Sequence, residues 1–153
     1  MKKYFVIILF AISIGFFMGK VFLEQYEGYD GVKVASSRGE ILYFIKYGEY
    51  PTYEEMEKAT INLSNYIYNE INNSYYVYIG ITKSNDNLIK LTNYYSSLGY
   101  NVYTEEYLVT NKKFLEMLEN YDSILSSTDD NVVISSISNQ ILTKYEECVI
   151  NGS

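Results

Sequence analysis

The strongest constraint on the fold of this 153-residue chain is that it spells one supersecondary unit twice. Phe44-Ile45-Lys46-Tyr47-Gly48 stands 32 residues before Tyr76-Val77-Tyr78-Ile79-Gly80, and the same offset carries Glu54, Met56, Ala59 and Leu63 onto Asp86, Leu88, Leu91 and Tyr95. Each copy reads as a β-rich run closed by glycine, a capped turn and an amphipathic helix. Pro51 opens the first helix, whose amino-terminal turn holds Glu54, Glu55 and Glu57. Tyr66 to Glu70 and Tyr75 to Ile81, separated by Asn72-Asn73-Ser74, read as a hairpin. Ser84 caps the second helix, Gly99 closes it, and Asn101 to Val109 returns to β composition. The order is β-α-β-β-α-β. It predicts an α+β fold of the split type, a four-stranded antiparallel sheet with both helices on one face and Ile45, Tyr47, Leu63, Val77, Ile79, Leu88 and Leu91 in one core.

Flanking segments differ from this unit. Lys2-Lys3 precede a largely apolar stretch from Tyr4 to Leu23, interrupted by Ser13, Gly15, Gly19 and Lys20. Twenty residues at about 1.5 Å each match a hydrocarbon core of roughly 30 Å. A cleaved signal peptide shares the basic start and apolar run. The small-x-small cleavage pattern is missing around Phe16-Phe17-Met18-Gly19, which favours a retained signal anchor with a cytoplasmic amino terminus and an extracytoplasmic remainder. Residues 1–23 are thus expected as a transmembrane anchor, 24–40 as a flexible linker with Gly28, Gly31 and Gly39, 41–109 as the α/β domain, and 110–153 as a helical tail. In the tail Phe114, Leu115, Leu118 and Tyr121 form one stripe, while Val133, Ile137, Ile141, Tyr145 and Cys148 form a second after Ser127-Thr128-Asp129-Asp130. Two helices packed on the core are expected, with a partner-binding helix as the competing reading.

Composition removes much chemistry. Histidine is absent and Cys148 stands alone, so there is no imidazole base, no disulfide within the chain and no thiolate zinc set. No enzyme activity and no cofactor are expected. With Lys2, Lys3 and Lys20 in the anchor, nine cations remain beside 19 carboxylates, a net charge of −10 on the exported part. Such a surface repels phosphate backbones, so nucleic acid is not an expected partner. The acidic pairs Glu54-Glu55, Glu105-Glu106, Asp129-Asp130 and Glu146-Glu147 read as solvated surface.

The strand-glycine-helix repeat at Phe44 to Gly48 and Tyr76 to Gly80 resembles the SPOR domain, a small extracytoplasmic module of bacterial envelope proteins. The resemblance covers about residues 40–109. It implies one amino-terminal transmembrane helix and binding of peptidoglycan glycan strands in cell division or sporulation. Where the family often has glutamine before the first glycine and an aromatic after it, this chain has Lys46 and Tyr50; in the second copy Tyr78 and Thr82 replace the common basic and aromatic residues.

If Ile45 and Val77 face the helices, strand alternation turns Phe44, Lys46, Tyr76 and Tyr78 to the open side, joined by Tyr103 from the last strand. With Tyr50 these form the expected glycan-binding set, because tyrosine joins a flat apolar ring to a phenolic donor. Two considerations stand beside this reading. The 19 tyrosines of the chain and the high β propensity of tyrosine would place rings on any half-exposed sheet. An envelope scaffold that meets another protein, with no glycan contact, is the alternative function.

Overall fold

The structure is a computed structural model and describes residues 39–152. The expected anchor and nearly all of the linker lie outside the described residues. Among the described residues no helix is long and apolar enough to cross a membrane. They fall within one compact α+β unit. Its elements are β1 (Glu40–Tyr50), α1 (Tyr53–Thr60), β2 (Ile67–Ile71), β3 (Ser74–Thr82), α2 (Asn85–Ser97), β4 (Tyr103–Val109), α3 (Lys112–Ser127) and α4 (Asn131–Tyr145), followed by one π-helical turn at Glu146–Ile150. The sheet order is β2-β3-β1-β4, antiparallel throughout. The two strands that open the repeats are therefore neighbours at its centre, as a split β-α-β-β-α-β order requires.

Local chemistry sets the boundaries. Thr52, Ser84, Asn111 and Asp130 each accept a backbone N–H of the first turn of α1, α2, α3 and α4. A side-chain cap of this kind contributes about 1 kcal/mol per helix. The β2–β3 hairpin turns on Asn72 and Asn73, both with positive φ (51° and 63°), a backbone that asparagine tolerates better than most residues. Gly99, at φ 84°, releases the chain from the end of α2. Both repeat strands continue two residues beyond the glycine that the sequence reading made their end.

Leu91 and Tyr95 of α2 pack on the sheet face that carries Ile45, with the Tyr95 hydroxyl donating to the Ile79 carbonyl at 2.5 Å. Gly80 makes room for this, since a Cβ there would stand 3.1 Å from Ile45 and 3.3 Å from the Tyr95 ring. Ile45, Val77, Ile79 and Leu91 are buried, and Tyr47, Leu63 and Leu88 are partly buried against the core.

The other face is not open along its length. Phe44 is 1% exposed and Tyr78 0%, which corrects their expected place on a free surface. The physical reason is a third layer. The Phe44 ring meets Tyr78, Tyr107 and Tyr145 edge-on at centroid distances of 5.6, 5.0 and 5.3 Å, and Tyr145 of α4 stands 5.2 Å from Phe114 of α3. Strand phase contributes as well. Pairing between β1 and β3 slips at Ile45/Lys46 and again at Lys46/Gly48, so Ile79 and Tyr47 have no direct partner and simple alternation fails between them.

Polar ties fasten the two carboxyl-terminal helices. The buried Asp122 carboxylate of α3 accepts from the Thr82 hydroxyl (2.6 Å), the Lys83 backbone N–H (2.8 Å) and the Asn87 amide (3.2 Å). Lys90 of α2 donates to the Leu125 and Thr128 carbonyls at 2.9 and 2.6 Å, where the end of α3 leaves carbonyls without helical partners. At the other end Asn65 donates to the Asn139 carbonyl and the Thr143 hydroxyl of α4.

Truncating Tyr145 to Ala is expected to cost about 3 to 5 kcal/mol in equilibrium denaturation, as for large buried aromatics. The same change at the exposed Val132 of α4 should stay within about 0.5 kcal/mol. Equal, small losses at both positions would mean that α4 does not share the core.

Candidate functional site

Beyond the Phe44 ring the sheet carries the remaining members of the expected glycan set. Lys46 of β1 lies opposite Tyr103 of β4 on one side and opposite Tyr78 of β3 on the other. Its ammonium sits 5.3 Å from the centroid of the Tyr76 ring, a cation–π contact. Tyr103 is 57% exposed, and its hydroxyl accepts from the Asn101 amide at 3.0 Å. Lys46, Tyr76 and Tyr103 therefore come together, with Phe44 and Tyr78 below them in the core. Tyr50 does not join them. It pairs with Tyr75 while Glu49 pairs with Tyr76, so alternation places Tyr50 on the opposite face.

The anchor of this patch is a residue the sequence reading assigned to solvated surface. Glu105 is only 27% exposed and forms an ion pair with Lys46. Its second oxygen accepts from the hydroxyls of Tyr78 and Tyr107, both at 2.7 Å, and those two hydroxyls lie 2.5 Å apart. The sign of a structural role was available in the strand period, since Glu105 shares its face with Tyr103 and Tyr107 rather than with Glu106. Glu54, Glu55, Glu106, Asp129, Asp130, Glu146 and Glu147 are exposed as expected. Asp122 was missed too, although it falls on the apolar stripe of α3, one turn after Leu118, where a hydrophobe would be expected.

Electrostatics follow from these contacts. Burial alone would raise the Glu105 carboxyl, but the hydrogen bonds from Lys46, Tyr107 and Tyr78 outweigh it and hold the group below the usual carboxylate range. Lys46 is raised, first by its hydrogen bond to Glu105 and against the cost of burial. Tyr78 is pushed far up by burial, with the Tyr107 and Glu105 hydrogen bonds adding to it. Tyr76 is raised by its hydrogen bond to Glu49 and by burial. A carboxylate that already accepts three donors is a weak base, and phenols raised in this way are weak acids. The arrangement suits binding rather than proton transfer. Among the described residues no group of three Asp, Glu or Cys side chains is placed to hold a metal ion.

Comparison of the chain with protein-family models, curated proteins and solved structures finds no match.

Because the Glu105 carboxyl sits below its ordinary value, its contribution to stability is complete above that value and is lost as pH falls through the folded one. Glu105→Gln is expected to destabilise by about 2 kcal/mol at pH 7. The gap to the wild-type chain should close as thermal unfolding is followed from pH 5 to pH 3. A gap that stays constant over that range would contradict the assignment.

Proposed function

We propose that this chain is a membrane-anchored, extracytoplasmic interaction module of the cell envelope that meets another protein, and that β4 is its docking strand. The observation that carries the reading is the condition of that strand. β4 is hydrogen-bonded only on its β1 side, and its exposed Leu108 (66%) stands opposite the exposed Ile41, with Tyr103 exposed near its other end. A seven-residue edge with free backbone groups and apolar side chains is a template for an added strand. The opposite edge, β2, has five residues and ends in a tight turn. The apolar stretch at residues 4–23, expected as a retained anchor, and the net acidity beyond it are the sequence features that support a domain held outside the membrane and away from anionic lipid.

A glycan-binding, SPOR-like role remains the second reading, favoured by the grouping of Tyr103, Lys46 and Tyr76. Tyr103 and Tyr76 lie on the two strands that flank β1, Tyr103 directly opposite Lys46 and Tyr76 opposite Glu49, with the Lys46 ammonium 5.3 Å from the Tyr76 centroid. The loss of Phe44, Tyr78 and Tyr50 from the surface patch leaves this site with three of the six side chains of the expected glycan-binding set, which is why the protein partner comes first.

One experiment addresses both. The full chain is mixed with protein-free sacculi and, separately, cross-linked in intact envelopes. It is expected to stay in the supernatant with bare sacculi and to form a discrete cross-linked product that Leu108→Lys removes, while Leu108→Lys shifts stability by no more than about 0.5 kcal/mol. Sedimentation with bare sacculi, reduced several-fold by Tyr103→Ala, would establish the glycan reading in its place.

A further inference from the structure

At the end of the sheet remote from β4, three tyrosines from three elements meet at the surface. Tyr53 of α1, Tyr68 of β2 and Tyr75 of β3 have ring centroids 5.8 to 6.0 Å apart in every pair, inclined at 56° to 75° rather than stacked. Tyr68 is 41% exposed and Tyr53 is exposed as well. Tyr75 is half-buried, and hydrophobic burial does not explain an arrangement that leaves the other two rings in water.

Two carboxylates flank the triad. Glu70 lies directly opposite Tyr75 across the β2–β3 ladder, and Glu57 follows Tyr53 by one turn of α1. Both act on the rings. Tyr53 is raised by Tyr68 and then by Glu57, and Tyr75 by burial and then by Glu70. Neither carboxylate has a cation among the described residues. Lys58, the basic residue of α1, is turned to Glu54 at 2.7 Å, and no ion pair among the described residues reaches Glu57 or Glu70.

We propose that Tyr53, Tyr68 and Tyr75, with Glu57 and Glu70, form a binding site for a cationic side chain, an arginine or lysine presented by a basic segment of a partner protein. A cation about 3.5 Å above the centre of the triangle would lie about 5 Å from all three centroids, within the distance at which a ring whose face turns to it attracts a cation. The aliphatic stem of the same side chain would cover ring surface that is now wet. The two carboxylates supply the charge that selects a cation, and the net charge of −10 beyond the anchor steers it in. The site stands apart from the β4 edge, so either can fail without the other.

The probe is a fluorescein-labelled peptide of four Arg-Ser repeats, titrated against the full chain at low salt and followed by anisotropy. Tyr68→Leu is expected to weaken binding about five- to tenfold, which lies within the span of measured cation–π energies. Tyr68→Phe keeps the ring and should keep the affinity. Glu57→Gln with Glu70→Gln should weaken binding by a similar factor, whereas Glu116→Gln with Glu119→Gln, an equal change of charge on α3, should change it less than twofold. Equal losses in the two double variants would show diffuse attraction to an acidic surface and overturn the site. Unchanged binding in Tyr68→Leu would overturn it as well, and loss in Tyr68→Phe would assign the contact to the hydroxyl instead. Tyr68-dependent binding of phosphatidylcholine vesicles in preference to the peptide would replace the protein partner with a lipid headgroup.

Discussion

The Phe44 ring is the point on which the rest of the structure depends. A sheet whose second face met water at this position would expose a phenylalanine at its centre, beside Tyr78 and Tyr107. Edge-on contact with Tyr145 removes that exposure, and Phe114 supports Tyr145 from behind. Because α3 and α4 supply those two rings, they are a layer of the fold. The central strand β3 shows the consequence. From Val77 to Thr82 every residue is buried, on both faces, as in a sheet covered on two sides.

This layering also decides which surface is left without internal partners. The polar edge of the aromatic cluster is closed by the Lys46–Glu105 pair and the two phenols on Glu105, so the middle of the sheet is satisfied internally. Helices α1 and α2 take one face, and α3 and α4 take much of the other. Surface with unmet binding capacity is left at the two ends of the strand order, the β4 edge with Ile41 and Leu108, and the Tyr53, Tyr68 and Tyr75 triad. Neither needs a cavity. Apolar and aromatic rims on an acidic domain are the kind of surface that the proposed docking role requires.

Much of the architecture was legible in the sequence because it is written in local signals. The 32-residue offset, the caps at Ser84 and Asp130, the Asn72-Asn73 turn and the glycine after α2 each act over a few residues, and together they specify the order of elements. What alternation could not give was the exposure of Phe44 and Tyr78. Period-2 reasoning reports which residues share a face but not whether a later segment covers it, and the covering segment begins more than 60 residues downstream of Phe44. The slips at Ile45 and Lys46 are hidden for a similar reason, since a bulge depends on the partner strand. For Glu105 and Asp122 the sequence shows the position on a structural face but not the partners, because a carboxylate is retained in a protein interior only where donors converge, and here the donors come from Lys46, Tyr78 and Tyr107 in one case and from Thr82, Lys83 and Asn87 in the other.

A layered fold of this kind requires α3 and α4 to belong to the same cooperative unit as the sheet. Native-state hydrogen exchange of the full chain tests this directly, because segments that open together share one free energy of opening. Amides in the middle of α4, around Ile141 and Leu142, are expected to exchange with the same free energy and the same denaturant dependence as those of β1 and β3 around Ile45 and Ile79. Exchange in α4 through a separate opening, several kcal/mol cheaper than that of the sheet, would show that the face holding Phe44 and Tyr78 is uncovered in solution.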